Sequence, residues 1–252
     1  MDANQRRAEN GGRVERLARA RPDLPFIAPF MVYLLLLALK ELDAPHWDWL
    51  FTLLRTVGGA AAIWVFRKHL PPWGKPHWRL ATAAAVLVAA GWYYGQYLFN
   101  WLGVPHWMPL PLFGDAPDLF KDPRDELGDG PAFWTMVTLR ILCASTTVAF
   151  VEELFWRAFL LRALIDWDDF ERVPLGKFTW RSFLLTALIS TLEHPANWAV
   201  SIPCWFAFNG LMYWKKSVLF LVVTHGLTNL FLYVWVIYQA VGRGNASAWM
   251  FW

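Results

Sequence analysis

The sequence predicts an all-α protein, a polytopic bundle of about seven transmembrane helices, with six to eight spans compatible with the pattern. Apolar residues make up 57% of the 252, above the roughly 45–50% of soluble domains, and charged residues only 17% against roughly 25%. Eighteen tryptophans agree, because indole rings favour the membrane interface. Apolar runs close to membrane-crossing length recur at 25–42, 48–66, 79–102, 133–163, 180–195, 198–214 and 217–240.

The apolar runs divide the chain into an N-terminal tail and a membrane domain. Residues 1–24 carry six arginines and four acids and are predicted to form a flexible basic cytoplasmic tail, with 25–252 as a single integral-membrane domain. Between the runs 180–195 and 198–214 stands His194-Pro195-Ala196-Asn197. Because proline cannot donate a backbone hydrogen bond, this turn is expected to be buried in protein or to line a wet cavity.

Loop charges predict the orientation. The segment 67–79 carries four basic residues and no acid, whereas 103–132 carries six acids and two basic residues. The positive-inside rule therefore places the N-terminus, 67–79, 164–179 and 215–216 in the cytoplasm. The net charge of +3 is small, so the expected surroundings are membrane lipids, and no nucleic-acid partner is indicated.

Three charged residues, Glu152, Glu153 and Arg157, lie inside the apolar run 133–163. A charge at the bilayer centre costs roughly 2.5–3.5 kcal/mol on insertion scales, so such residues are usually paired, inward-facing and functional. Glu153 and Arg157 share a helical face because they are four residues apart. His225 and Asn229 have the same spacing in the last run, and His194 adds a second intramembrane imidazole.

Together these side chains favour water activation. A glutamate in a low-dielectric site is an effective general base, and a histidine can share the proton of the same water. A second histidine with an amide donor can stabilise an oxyanion on a scissile carbonyl. We therefore predict hydrolysis of an amide in or near the membrane.

The residues leave other functions open. Glu152, His194 and His225 would supply the His₂Glu set of a catalytic zinc site, although Arg157 one turn away opposes a dication. A non-enzymatic membrane partner, such as an immunity-like protein or scaffold, would use the cluster structurally. A proton-coupled transporter is a further alternative, which the absence of internal repeats disfavours.

The order of motifs narrows these alternatives. Glu152-Glu153-x-x-x-Arg157, then His194, then His225-x-x-x-Asn229 resembles the three-motif pattern of the CPBP (Abi) family of CAAX-protease and bacteriocin-processing membrane proteins, over roughly 133–240. Around Glu152–Arg157 and Leu192-Glu193-His194, the chain is also similar to the CAAX prenyl protease-related bacterial subgroup found with exosortase systems. One departure is Ser190, where the family's second motif usually has phenylalanine.

The resemblance implies a metal-independent, glutamate-dependent intramembrane endopeptidase of the bacterial inner membrane, with no cofactor. Its substrate would be a peptide or membrane protein, lipidated or not. By matching position, Glu152 would activate water with help from His194. His225 and Asn229 would form the oxyanion hole, while Glu153 and Arg157 would organise the site.

Depth and the remaining charges give two further expectations. At ~1.5 Å per residue, Glu152 lies ~28 Å along its run and His194 ~21 Å along its own, so they meet only through tilt or a displaced helix start. Arg55 and Arg140 fall near the expected level of Glu193. They therefore favour a buried ion pair, with a substrate-carboxylate site as the alternative.

Overall fold

A computed structural model describes residues 12–40 and 48–252, and every regular element in these two ranges is a helix. The all-α prediction is thus confirmed. The helices are α1 (Arg13–Ala20), α2 (Leu24–Lys40), α3 (Asp48–Phe66), α4 (Trp78–Trp101), α5 (Arg124–Leu127), α6 (Pro131–Ala163), α7 (Trp180–Ser190), α8 (Trp198–Lys215) and α9 (Val218–Ile237, continued by a π-helical end to Gly242).

Three long apolar helices could each cross a membrane. Asp48–His69, Pro131–Ala163 and Val218–Gly242 are long and apolar enough to cross a bilayer, and α1 with α2, bent by 104°, would add a fourth as a broken span. The predicted count of about seven is not confirmed. In the segment 1–24, predicted as a flexible tail, residues 13–20 form α1 and residues 1–11 lie outside the described part.

Helix α6 is not a uniform α-helix. Its backbone widens into π-helical turns at Ala144–Val148 and Glu153–Leu160, with a short α-helical stretch, Ala149–Glu152, between them. Such i→i+5 turns are uncommon and occur frequently at functional sites. Helix α6 changes from α-helical to π-helical geometry between Glu152 and Glu153. The side chains of the two glutamates are therefore attached to backbone of different helical geometry.

Helices α6 and α9 approach each other closely at Gly226. A Cβ atom on Gly226 would collide with the carbonyl oxygen of Ser145 in the first π-helical stretch of α6. Only glycine allows this approach. Because His225 is adjacent to Gly226 and Asn229 follows one turn later, the contact brings both side chains against α6.

The histidine-containing turn connects α7 to α8. Helix α7 is only 11 residues long and ends at Ser190, and two short 3₁₀ turns, Thr191–Glu193 and Pro195–Asn197, lead into α8. The backbone N–H of Met108 donates to the Pro195 carbonyl at 2.8 Å, which ties this turn to the loop after α4. His194 therefore sits at a fixed bend of the chain.

Candidate active site

A cavity of about 490 Å³ lies between α6, α9 and the turn after α7. Four of the six predicted site residues line it: Glu152, His194, His225 and Asn229. The turn that carries His194 and Pro195 forms one wall of the cavity. The sequence analysis predicted such a position because proline has no backbone N–H to donate a hydrogen bond within the membrane. The cavity volume is within the range of small-ligand sites.

Glu152 and His194 come together in this cavity despite the depth difference counted along straight helices. Each offers an atom within 4.8 Å of the other and of the Glu193 carboxylate. They meet because α7 ends at Ser190 and the following turns redirect the chain, so His194 is not carried further along a helix axis. The His194 ring contacts the rings of Trp92 and Trp205, whose centroids are 5.2 and 5.4 Å away.

Glu152 is poised toward the cavity. Its side chain is buried, with 5% exposure, and its Oε2 atom has no hydrogen-bond partner in the described ranges 12–40 and 48–252. A buried carboxylate oxygen is costly to leave unpaired, so it needs a water or a ligand atom. The cavity provides the room for one.

Glu153 makes different contacts. Its Oε1 atom lies 2.8 Å from Nδ1 of His225 and 3.2 Å from Nη1 of Arg157, and both Glu153 and Arg157 are fully buried. The Arg157 guanidinium also stacks over Trp205, 4.7 Å from the ring centroid. Glu153 pairs with the arginine and contacts Nδ1 of the imidazole, which leaves Nε2 of His225 for the cavity.

Asn229 is held by the backbone of α6. Its Nδ2 atom donates to the Ala144 carbonyl at 2.8 Å, at the start of the first π-helical stretch. A primary amide carries two N–H groups, so one donor remains. Asn229 can therefore be oriented by α6 and still donate to a ligand.

Residues 134–231 match the family described as Type II CAAX prenyl endopeptidase Rce1-like. The chain is similar to this family over 98 of its 252 residues. The match confirms the CAAX-protease family inferred from the motifs and covers all six predicted site residues. No curated protein and no solved structure gave a match.

The Rce1-like segment contains a third acid that the sequence analysis assigned wrongly. Glu193 forms no ion pair with Arg55 or Arg140; instead its Oε2 atom accepts a 2.7 Å hydrogen bond from Nε1 of Trp156. The straight-helix depth estimate placed Glu193 beside the arginines, but the 3₁₀ turn directs it to Glu152. Its adjacency to His194 in an apolar run was the available signal.

Trp205 is the other residue that sequence reasoning missed. It is 2% exposed, lines the cavity and contacts both histidines, with centroid distances of 5.4 Å to His194 and 6.1 Å to His225. In a chain with eighteen tryptophans, one more indole in an apolar run gives no signal of its own.

The structure also changes which residues could bind a metal ion. In the part of the chain that the structure describes, the one set of acids and histidines compact enough to hold an ion is Glu152, Glu193 and His194. His225, which the zinc hypothesis used, is not in the set and instead contacts Glu153. Two carboxylates and one imidazole are chemically suitable ligands, and the unpaired Glu152 oxygen is compatible with one.

Proposed function

We propose that this Rce1-like membrane protein is an endopeptidase that cleaves a peptide bond in or near the membrane, using water activated by Glu152 and His194. The observation that carries the proposal is the meeting of these two side chains within 4.8 Å, from different segments, in a cavity that His225 and Asn229 also line. A general base within reach of one water, opposite oxyanion donors, is the arrangement that amide hydrolysis requires.

The positions of the side chains support the following reaction. A water held between Glu152 and His194 gives a proton to Glu152 while its oxygen bonds to the scissile carbonyl carbon. Charge moves to the carbonyl oxygen, which accepts hydrogen bonds from Asn229 and from Nε2 of His225. When the C–N bond breaks, the proton on Glu152 passes to the leaving nitrogen.

Glu153 and Arg157 support this step without touching the substrate. For His225 to donate from Nε2 while Nδ1 bonds to Glu153, the ring must carry both protons. The Glu153 carboxylate contacts that ring at Nδ1, and Arg157 donates to the same carboxylate oxygen. Glu153 and Arg157 are therefore positioning residues.

The proposed substrate is a peptide or membrane-protein chain, lipidated or not. Apolar residues such as Leu37, Leu232 and Trp252 line the cavity and suit such a chain. Ser190 is fully buried and donates to the Thr186 carbonyl of its own helix, so the residue in the family's phenylalanine position is not among the cavity-lining residues. We further propose a bacterial inner-membrane location and a cytoplasmic N-terminus.

The test is cleavage by the purified protein in liposomes, with products identified by mass spectrometry. Glu152→Gln should fold normally and lose turnover, since an amide cannot accept the water proton. Glu171→Gln, at an exposed loop position, is the matched control and should stay active. Retained turnover in Glu152→Gln would contradict the proposal, and a retained cellular phenotype without turnover would favour the scaffold alternative.

A zinc-dependent hydrolase is the second candidate, favoured by the compact Glu152, Glu193 and His194 set. These three residues would hold the ion, which would supply a Lewis acid that activates water. Chelation separates the two: the metal-independent protease keeps full activity after dialysis against a strong chelator, whereas the zinc enzyme loses activity and regains it on zinc addition.

A further inference from the structure

Asn197 has an unpaired hydrogen-bond acceptor in the wall of the cavity. It directly precedes α8 and follows His194 by three residues, in the turn that lines the cavity. Its Nδ2 atom donates to the Met250 carbonyl at 3.4 Å, whereas its buried Oδ1 atom has no partner among residues 12–40 and 48–252. Because a buried amide oxygen without a hydrogen bond is costly, a partner from the cavity is expected.

Trp205 supplies an unpaired donor from the same helix. Its side chain is 2% exposed and lines the cavity, and its Nε1 atom has no hydrogen-bond partner in the described part of the chain. The Arg157 guanidinium, 4.7 Å from the ring centroid, and the Phe208 ring, 5.9 Å away, hold the indole in place. An indole N–H can only donate, and a buried tryptophan usually has an acceptor for it.

These two atoms narrow the chemistry of the ligand. Besides Glu152 Oε2, they are the unpartnered buried polar atoms of cavity-lining residues within the described ranges. A metal ion cannot accept a hydrogen bond from an indole, and a lipid acyl chain has neither donor nor acceptor. The main chain of a peptide offers one N–H and one C=O in each residue other than proline, so it can satisfy both atoms whatever its side chains are.

We propose that Asn197 and Trp205 bind the main chain of the peptide substrate. Asn197 Oδ1 accepts from one peptide N–H, and Trp205 Nε1 donates to one peptide carbonyl. The proposal rests on the proposed endopeptidase function and assigns part of its substrate recognition to the peptide backbone. Because the Trp205 ring also contacts His194 and His225, the bound peptide groups lie beside the scissile bond.

The spacing along α8 limits how far apart the two bound peptide groups are. Asn197 and Trp205 are eight residues apart, about 12 Å along the helix axis. An extended chain covers about 3.3–3.6 Å per residue, and a tryptophan side chain on a helix leans toward the N-terminus, here toward Asn197. The two contacted groups should therefore lie within about four residues of each other.

Binding of peptides with altered main chains tests the proposal without turnover. The Glu152→Gln protein in neutral-lipid nanodiscs is titrated with two fluorescent decapeptides that have the same apolar side chains and blocked ends. One has amide links and the other has ester links, which have no N–H and a weaker carbonyl acceptor. Adding Asn197→Ala or Trp205→Phe should weaken binding of the amide form at least about fivefold and change that of the ester form much less.

The ratio of the two affinities isolates the contact with the protein. Each peptide partitions into the same lipid in every sample, so a change of the ratio between variants comes from the substituted side chain. Asn209→Ala and Trp214→Phe, both on α8, are the matched controls and should keep the ratio. Asn209 also donates through Nδ2 and has an unpartnered Oδ1 atom, but it does not line the cavity, and Trp214 is 60% exposed.

Four other outcomes are decisive. A ratio unchanged in both cavity variants would show that water, not peptide, meets these atoms, and a change in one variant alone would remove the other residue from the site. An amide peptide that does not bind would contradict recognition independent of side chains. Asn197→Ala, at a half-buried position, keeps the test valid where Trp205→Phe does not fold. A ratio that depends on both residues, with cleavage that ignores Glu152, would support the main-chain site while refuting the proposed catalytic function.

Discussion

Glu153 Oε1 lies 2.8 Å from Nδ1 of His225, a contact between side chains 72 residues apart in the sequence. The same oxygen accepts from Arg157, so one buried carboxylate connects a cation on its own helix to an imidazole on α9. Glu152, the preceding residue, makes neither contact and lines the cavity. The two adjacent glutamates therefore have different surroundings: Glu153 is paired with two side chains, and Glu152 faces the cavity.

This difference predicts a large loss of stability for one of two matched substitutions and a small loss for the other. Glu153→Gln leaves Arg157 as an uncompensated charge with no exposure and should cost about 3–5 kcal/mol of the free energy of unfolding. Glu152→Gln removes no ion pair and should be far less damaging. Thermal unfolding followed with a thiol-reactive dye measures both, since Cys143 is buried in the folded state. Equal stability of the two variants would refute the division.

Gly226→Ala should separate α9 from α6. The added methyl group meets the Ser145 carbonyl oxygen, and relieving such overpacking typically costs about 1–3 kcal/mol. The shift also moves His225, so peptide cleavage should fall together with stability. Gly210→Ala on α8 is the control, because a methyl group there meets nothing within 4 Å. A fully active and stable Gly226→Ala protein would show that the close approach is not required.

Trp156→Phe tests whether Glu193 contributes to stability and to kcat. The substitution keeps an aromatic ring but removes the indole N–H that donates to Glu193, a hydrogen bond worth about 0.5–1.5 kcal/mol. We expect lower stability and lower kcat, because Glu193 is then free to reorient beside Glu152. Trp180→Phe, at a 68% exposed position, should leave both quantities unchanged. Unaltered kcat in Trp156→Phe would remove Glu193 from the site's organisation.

The loop after α4 should lose local order in acid. Hydrogen bonding from the Arg124 side chain lowers the pKa of Asp122 below its ordinary value of 3.8. The interaction therefore stabilises the loop fully above that ordinary value and is lost as pH falls through the lower, folded-state pKa. Limited proteolysis with an acid-active protease should show faster loop cleavage below pH about 4. Asp122→Asn should cleave at a rate independent of pH over this range.

The sequence indicated the site residues better than their arrangement. Glu152, His194 and His225 were identifiable because charged and imidazole side chains are rare in apolar runs. Their meeting could not be derived, because the depth count assumed straight helices, whereas α7 ends at Ser190 and α6 contains two π-helical stretches. The same assumption led to the wrong pairing of Glu193 with an arginine.

The number of membrane spans could be predicted from the sequence only in part. Apolar runs predicted the helices closely, but whether a helix crosses the bilayer depends on its length and partners as well as its composition. The run at 180–195 yields an 11-residue helix followed by turns, which is short for a crossing of about 30 Å. Counting apolar runs in the sequence includes this segment among the spans, because the count does not consider the length of the helix that forms.

Trp205 gives the site a shared wall. Its ring contacts His194, which we propose helps to activate water, and His225, which we propose donates to the oxyanion, and the Arg157 guanidinium lies over the same ring. Substituting this indole would disturb both halves of the reaction at once, so its effect cannot be assigned to either step alone. In a double-mutant cycle, Trp205 should couple energetically to each histidine, and the two histidines should couple to one another through it.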